Sequence, residues 1–388
     1  MSAPIYLDGA ATSFPKAPGV PEAVADFLRS SAGNPGRGGH RLTVAASRVV
    51  EAARTSVATL LGGDPERTLF VPGCTFALNT VLFGLLGPGD RVVCSALEHN
   101  AVMRPLRALE AGRGVRIRVL RGEGPAALPT VDEVRAAIAE APTRLVVLPH
   151  ASNVSGAVLP IAALTAAAAP VPVLIDAAQS AGSVALDFAA TGAAALCCSG
   201  HKGLLGPTGI GVLLLAPWFS PPPLVLGGTG SRSASEEMPD ALPDAFEAGT
   251  PNTAGIAGLA AACAWVADRG VDALHAHALA LVRRGAEGLA GLPGVELVGG
   301  PFPDAHTGTL SFRVHGADLG EMALWLDREA GLQLRAGLHC APAAHRRLGT
   351  FPDGTLRAAF GPFNAMEHAD SLVAAVARYQ RERPSTSG

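Results

Sequence analysis

The segment Ser199-Gly200-His201-Lys202-Gly203 places a lysine between two apolar runs, Ala193 to Cys198 and Ile210 to Leu215. An ammonium is costly to bury, so a lysine at the end of a buried strand calls for a chemical reason. The chain has 30 basic residues, yet Lys16 and Lys202 are its only lysines. Arginine cannot stand in for a residue that must lose its proton and attack a carbonyl, because its pKa lies above ~12. Lys202 is therefore the first candidate for catalysis. By itself it could equally be a chance lysine at a strand end.

Four further groups fall where predicted strands end or helices begin. Gly73-Cys74-Thr75 leaves backbone N–H groups free and adds the Thr75 hydroxyl, a pattern suited to phosphate and also to an ordinary helix start. His99, in Glu98-His99-Asn100, could stack on an aromatic ring or cap a helix. Asp176 follows Val173-Leu174-Ile175, where a poorly solvated carboxylate needs a cationic partner, and Gln179 lies three residues on. Ser152-Asn153 follows another apolar run. Pyridoxal phosphate needs such a set together: a lysine for the Schiff base, a carboxylate against the ring nitrogen, a phosphate cup and a surface for the ring. At an effective dielectric near ~20, an ion pair at about 4 Å has a Coulomb term of roughly 4 kcal/mol. That is enough to favour a protonated ring nitrogen.

The elements that carry these residues follow from periodicity. Strand-length apolar runs are Leu69–Val71, Arg91–Leu97, Val115–Leu120, Arg144–Pro149, Val173–Asp176, Ala193–Ser199 and Ile210–Leu215. Helical stretches alternate with them, and Thr130 with Glu133 predicts a capping box ahead of Val131, Val134 and Ile138. Such alternation predicts an α/β fold with a mainly parallel seven-stranded sheet covered by helices, with ligands at the carboxyl ends of the strands. Residues 216–253 are irregular and rich in Pro and Gly. After residue 254 the pattern becomes that of a smaller α+β unit, with a strand over Leu332–Arg335 and a loop from there to Gly354. The expected division is a large domain over 15–253, a small domain from 1–14 and 254–380, and a disordered tail over 381–388.

Composition narrows the function classes. The chain of 388 residues is 48% apolar and 16% charged, with a formal net charge of −3. It shows no basic footprint for nucleic acid, no apolar run long enough to span a membrane and no signal-peptide pattern. A cytoplasmic location is the expectation. The six cysteines lack metal-ligand spacing, so no metal site is expected.

Several stretches, taken in order, resemble the class V aminotransferases of PLP fold type I, and within them the cysteine desulfurases and selenocysteine lyases. They are Tyr6 to Lys16, Glu98-His99-Asn100, Ser152 to Gly156, Asp176 to Ser180, Ser199 to Pro207, Glu247 to Asn252 and Arg335 to Pro342. The resemblance implies that Lys202 forms the Schiff base, Asp176 pairs with the pyridinium and His99 stacks on the ring. It places Gln179 and Asn153 near the ring hydroxyl or the substrate. It assigns the phosphate to Thr75, Ser199, His201 and the backbone of Cys74, with Thr250 reaching in from the second subunit of a homodimer. Arg357 would hold the substrate carboxylate, a role suited to its planar fork. Two departures stand out: Phe76 replaces the acidic residue of many relatives, and Pro362 interrupts Gly361 to Asn364. Arg37 is a weaker match in the loop near the implied dimer interface.

Cys340 bears on the substrate. Desulfuration needs a second thiol on a mobile loop to attack the substrate sulfur, and Cys340 lies in a Gly/Pro-bearing loop beside His339 and Arg335, which could help ionise it. The implied activity converts L-cysteine to alanine with a persulfide left on Cys340 for a sulfur-acceptor protein. Alternatives are a selenocysteine lyase, another aminotransferase, epimerase or C–S lyase with Cys340 incidental, and a non-catalytic sulfur-relay protein on the same fold.

Overall fold

The computed structural model describes residues 4–382 except 37, 233, 303 and 304. Arg37 and the tail from 383 on thus lie outside the described residues. Arg381 and Glu382, expected in the tail, close the helix Met366–Glu382.

Seven strands form the central sheet. Their spatial order is Thr68–Val71, Gly211–Leu215, Ala195–Ser199, Val173–Asp176, Leu145–Pro149, Arg91–Ser95 and Arg116–Leu120. Only Gly211–Leu215 runs against its neighbours, and all other pairings are parallel. The near-continuous apolar runs follow from this, because parallel strands covered by helices on both faces have no solvent side. Leu145–Pro149, Val173–Asp176 and Ala195–Ser199 are buried throughout. The edge strand Arg116–Leu120 carries one exposed residue, Arg116, and three half-buried ones. The vicinal Cys197 and Cys198 pack fully buried in this core as small apolar groups.

A second, antiparallel sheet has the order Arg335–Gly337, Thr355–Ala359, Thr309–Val314, Val295–Val298. The strand expected over Leu332–Arg335 is split. Leu332–Gln333 pairs in parallel with Ile5–Tyr6, whereas Arg335–Gly337 pairs with Thr355–Ala359. The amino-terminal arm therefore joins this second unit, and Leu7 is buried in its core. The presumed loop to Gly354 contains a short helix, Pro342–Arg347.

Local signals explain most helix starts. Thr130 Oγ1 accepts from Glu133 N at 3.2 Å, so half of the capping box forms. The other half does not. The Glu133 carboxylate accepts instead from Arg121 N and Gly122 N, because the preceding loop folds back and offers two free N–H groups.

Arg54 locks the helix Arg41–Leu61 to the sheet. Its guanidinium donates to both oxygens of Glu247, at 2.8 and 3.0 Å, and lies over the Phe70 ring. Glu247 also accepts from Phe70 N at 2.7 Å. This fixes the start of the segment that carries Thr250. Arg54→Ala leaves a carboxylate without its cation in a largely buried setting, and is expected to cost about 3–5 kcal/mol. Urea unfolding measures that loss.

Candidate active site

One cavity opens at the carboxyl ends of the parallel strands. Nine residues singled out from the sequence line it: Cys74, Thr75, His99, Asn153, Asp176, Gln179, Ser199, His201 and Lys202. Asp176 and Ser199 are the last residues of adjacent strands, and Cys74 opens the helix that follows a third. Strand direction brings them together. Three sequence-distant turns emerge on one edge of the sheet.

At one end of the cavity the helix Cys74–Leu85 begins with no side-chain cap. Its first N–H groups are free to meet an anion, with Thr75, Ser199 and His201 beside them. The reversed strand starts at this edge, and Gly211 packs directly on Gly73. A Cβ at 211 would lie 2.6 Å from Gly73 Cα, so only glycine lets the helix start sit this close to the sheet.

Lys202 follows Ser199 in a tight turn closed by bonds from Leu205 N to Lys202 O and from Gly206 N to Gly200 O, both 2.8 Å. Burial lowers the Lys202 pKa, and the positive charges of Arg357 and Arg335 push the same way, while Asp176 and Cys74 oppose them. A lysine so placed reaches its neutral, nucleophilic form more readily. The backbone of this turn is anchored from the amino-terminal arm. His201 O accepts from Ser13 N at 2.9 Å and from Lys16 Nζ at 3.1 Å, and Thr12 Oγ1 lies 3.1 Å from His201 Nδ1. Both lysines of the chain thus meet at one turn. Sequence alone assigns no role to Thr12 or Lys16. The scarcity of lysine was the available signal.

Asp176 Oδ1 accepts from Ala178 N at 2.9 Å and from Cys74 Sγ at 3.4 Å. His99 does cap a helix, since Nδ1 accepts from Ala101 N at 3.0 Å. Its ring also lines the cavity. Burial keeps the imidazole pKa low, and the capping bond leaves the proton of the neutral ring on Nε2. Gln179 Nε2 donates to Ala10 O at 3.0 Å.

Cys340, Arg357 and Thr250 do not line this cavity. Arg357 reaches it through Asn153. Its Nη1 donates to Asn153 O and its Nη2 to Asp8 Oδ1, each at 3.0 Å, while buried Nε has no hydrogen-bond partner. Asp8 Oδ2 pairs with Arg335 at 3.1 Å, so one carboxylate bridges both arginines. Thr250 is exposed in a separate surface hollow with Phe70, Phe76 and Gly209.

Cys340 is the one exposed cysteine among the described residues. Within the loop expected up to Gly354, Cys340 lies in a short turn between Arg335–Gly337 and Pro342–Arg347. Both His339 and Cys340 adopt left-handed backbone, φ 47° and 57°, which costs non-glycine residues roughly 1–2 kcal/mol each. Two bonds from other segments hold the backbone of the turn. Asn153 Nδ2 donates to His339 O at 2.6 Å, and Asn100 N donates to Cys340 O at 2.7 Å. The sulfur-bearing turn is therefore tied to the residue after His99.

His339 does not assist Cys340 as expected. Its ring turns inward to Thr355 Oγ1 at 2.9 Å, and burial pushes its pKa down to about 2. A neutral imidazole brings no charge to a thiolate. The cations available are Arg335 and Arg357, and the field of Cys340 in turn acts on Arg357, against the dominant effect of burial.

Buried histidines also weaken the fold in acid. Burial lowers His150 and His345 to about 4 and His339 to about 2. Their contribution is complete above the unfolded value near ~6.5 and is lost as pH falls toward the folded values, since the unfolded chain takes up protons that the fold excludes. The melting temperature is expected to be lower at about pH 5 than at about pH 7.5. A flat profile across that range would refute this.

The arrangement has counterparts. A model of the class-V aminotransferases matches residues 5–372. The chain belongs to the class-V aminotransferase family. A probable cysteine desulfurase of Pyrococcus abyssi is 32% identical over 95% of this chain and 92% of its own length. A cysteine desulfurase of Dickeya dadantii is 35% identical over 97% and 92%. Among solved structures, an apo cysteine desulfurase from Thermococcus onnurineus superposes with a TM-score of 0.90 at 30% identity, covering 98% of this chain and 95% of the other. The Escherichia coli cysteine desulfurase CsdA gives 0.87 at 32% identity, with the same coverage. The α/β sheet with its antiparallel second unit is thus the family's fold type I architecture. In this class-V member, Phe76 is half-buried and lines the hollow that holds Thr250, which accounts for an apolar residue there.

Proposed function

We propose that this class-V aminotransferase family member is a pyridoxal-phosphate-dependent cysteine desulfurase. The observation that carries the reading is the union of two features. A cavity lined by half-buried Lys202 and buried Asp176 has an uncapped helix start at one end, and an exposed Cys340 is pinned beside it through Asn100 and Asn153. The residues present fit the cofactor. Lys202 would hold its aldehyde carbon, Asp176 its ring nitrogen, His99 its ring face, and Thr75, Ser199, His201 and the Cys74 backbone its phosphate. Gln179 and Asn153 would lie near the ring hydroxyl. Bound there, the cofactor supplies the electron sink that makes an amino acid's Cα proton labile.

The chain's own groups do the rest. Arg357, on the strand beside Asn153, binds the carboxylate of L-cysteine. Lys202 Nζ takes the Cα proton and returns one. Cys340 Sγ, as thiolate, attacks the substrate sulfur. The carbon–sulfur bond breaks and a sulfur–sulfur bond forms; the released electron pair stays on carbon, which is protonated. The products are alanine and a persulfide on Cys340, with no outside oxidant. The exposure of Cys340 suits transfer of that sulfur to an acceptor protein. Thr250, exposed and apart from the cavity of its own chain, suits delivery to a second copy in a homodimer.

The test is a product assay with L-cysteine and a reductant. Equal alanine and sulfide support desulfuration. Pyruvate and ammonia with sulfide would replace it with β-elimination. Turnover of selenocysteine alone would reassign the chain as a lyase for that substrate.

A further inference from the structure

Cys74 carries a thiol that the proposed reaction does not use. It is the first residue of the helix Cys74–Leu85, is buried, and lies against the carboxylate that ends a neighbouring strand. Helix starts commonly favour a thiolate. Here burial dominates and, with the Asp176 charge, holds the thiol pKa well above its usual value. The sulfur therefore keeps its proton, and Asp176 Oδ1, at 3.4 Å, is the acceptor it faces.

The geometry at Asp176 is one-sided. Ala178 N and Cys74 Sγ both bond Oδ1, and Oδ2 takes no hydrogen bond from the described residues. Two donors from different elements, one on each side in sequence, fix the rotation of the carboxylate. Resting on the pyridoxal-phosphate reading above, we propose that Cys74 is a positioning residue that uses its S–H to turn Asp176 Oδ2 toward the cofactor's ring nitrogen. Its side chain thereby acts in addition to the backbone role expected at a phosphate cup. The group it serves is a protonated heteroaromatic nitrogen, and a carboxylate oxygen free of other donors is its strongest acceptor.

Three substitutions separate the hydrogen bond from packing. Cys74→Ser keeps a donor, Cys74→Val keeps approximate volume without one, and Cys74→Ala keeps neither. The dissociation constant of pyridoxal phosphate from the apoprotein is measured for each. So is the pH midpoint at which the absorbance band of the bound cofactor shifts. Melting of the apoproteins shows that each variant is folded. Val and Ala are expected to weaken binding about fivefold and to raise the midpoint, with Ser close to the parent. In an Asp176→Asn background the Cys74→Val effect on both readouts is expected to shrink. Parent-like behaviour of Val and Ala would overturn the proposal, as would Ser failing together with Val. If the unsubstituted chain itself does not bind pyridoxal phosphate, the cofactor reading falls, and this inference falls with it.

Discussion

Cys340→Ala is expected to lose at least ~10³-fold of cysteine-dependent alanine formation while cofactor binding is unchanged. The split follows from placement. Cys340 does not line the cavity that would hold the cofactor, so its removal leaves Lys202, Asp176 and the helix start untouched. What is lost is the acceptor for the substrate sulfur. The turn's backbone bonds, Asn100 N to Cys340 O and Asn153 Nδ2 to His339 O, do not involve the thiol. The variant is therefore expected to fold and melt like the parent. Cys340→Ser tests the same point with a hydroxyl that cannot form a stable bond to sulfur. Sustained alanine formation from cysteine by either variant would remove Cys340 from the reaction.

The second large effect is at Lys202. Lys202→Ala is expected to reduce turnover about 10⁴-fold, because one side chain both holds the cofactor and moves the Cα proton. Lys202→Arg is expected to rescue nothing. A guanidinium keeps its proton where burial and the nearby arginines favour a neutral amine. Borohydride reduction followed by peptide mapping gives a readout independent of turnover. The parent is expected to carry the reduced cofactor on the peptide with Lys202, and the variants to carry none there. Labelling at Lys16 instead would shift the assignment to the chain's other lysine.

Both expectations depend on contacts that bring distant segments together. Arg357 is held by Asp8, at the other end of the chain, and by the backbone of Asn153. The Lys202 turn rests on Ser13 and Lys16. The amino-terminal arm is therefore part of the site's support. From sequence alone, Tyr6 to Lys16 is a matching stretch whose first residues belong with the small domain, and its contact with the Lys202 turn is not visible.

Much of the candidate site was legible because its chemistry is written in residue types that buried strand ends rarely tolerate. A lysine and an aspartate directly after apolar runs need a partner or a ligand. The seven strands were legible for a related reason: a sheet covered on both faces produces apolar runs that need no long-range information. Less was legible around Cys340. Glycine and proline in Arg335 to Pro342 predict irregular backbone, yet the same composition fits a long flexible loop and a tight turn.

Local sequence thus determined the α/β order, the strand-end lysine and carboxylate, and the presence of a thiol outside the core. Those properties depend on a residue and its near neighbours. Only the tertiary structure decided that His339 points inward and stays neutral, that His99 both caps a helix and faces the cavity, and that Cys74 bonds Asp176. It also decided that Glu133 serves Arg121 and Gly122 in place of its own helix cap. Each depends on which way a side chain turns, and that is set by packing and unpaired donors supplied from segments far away in the chain.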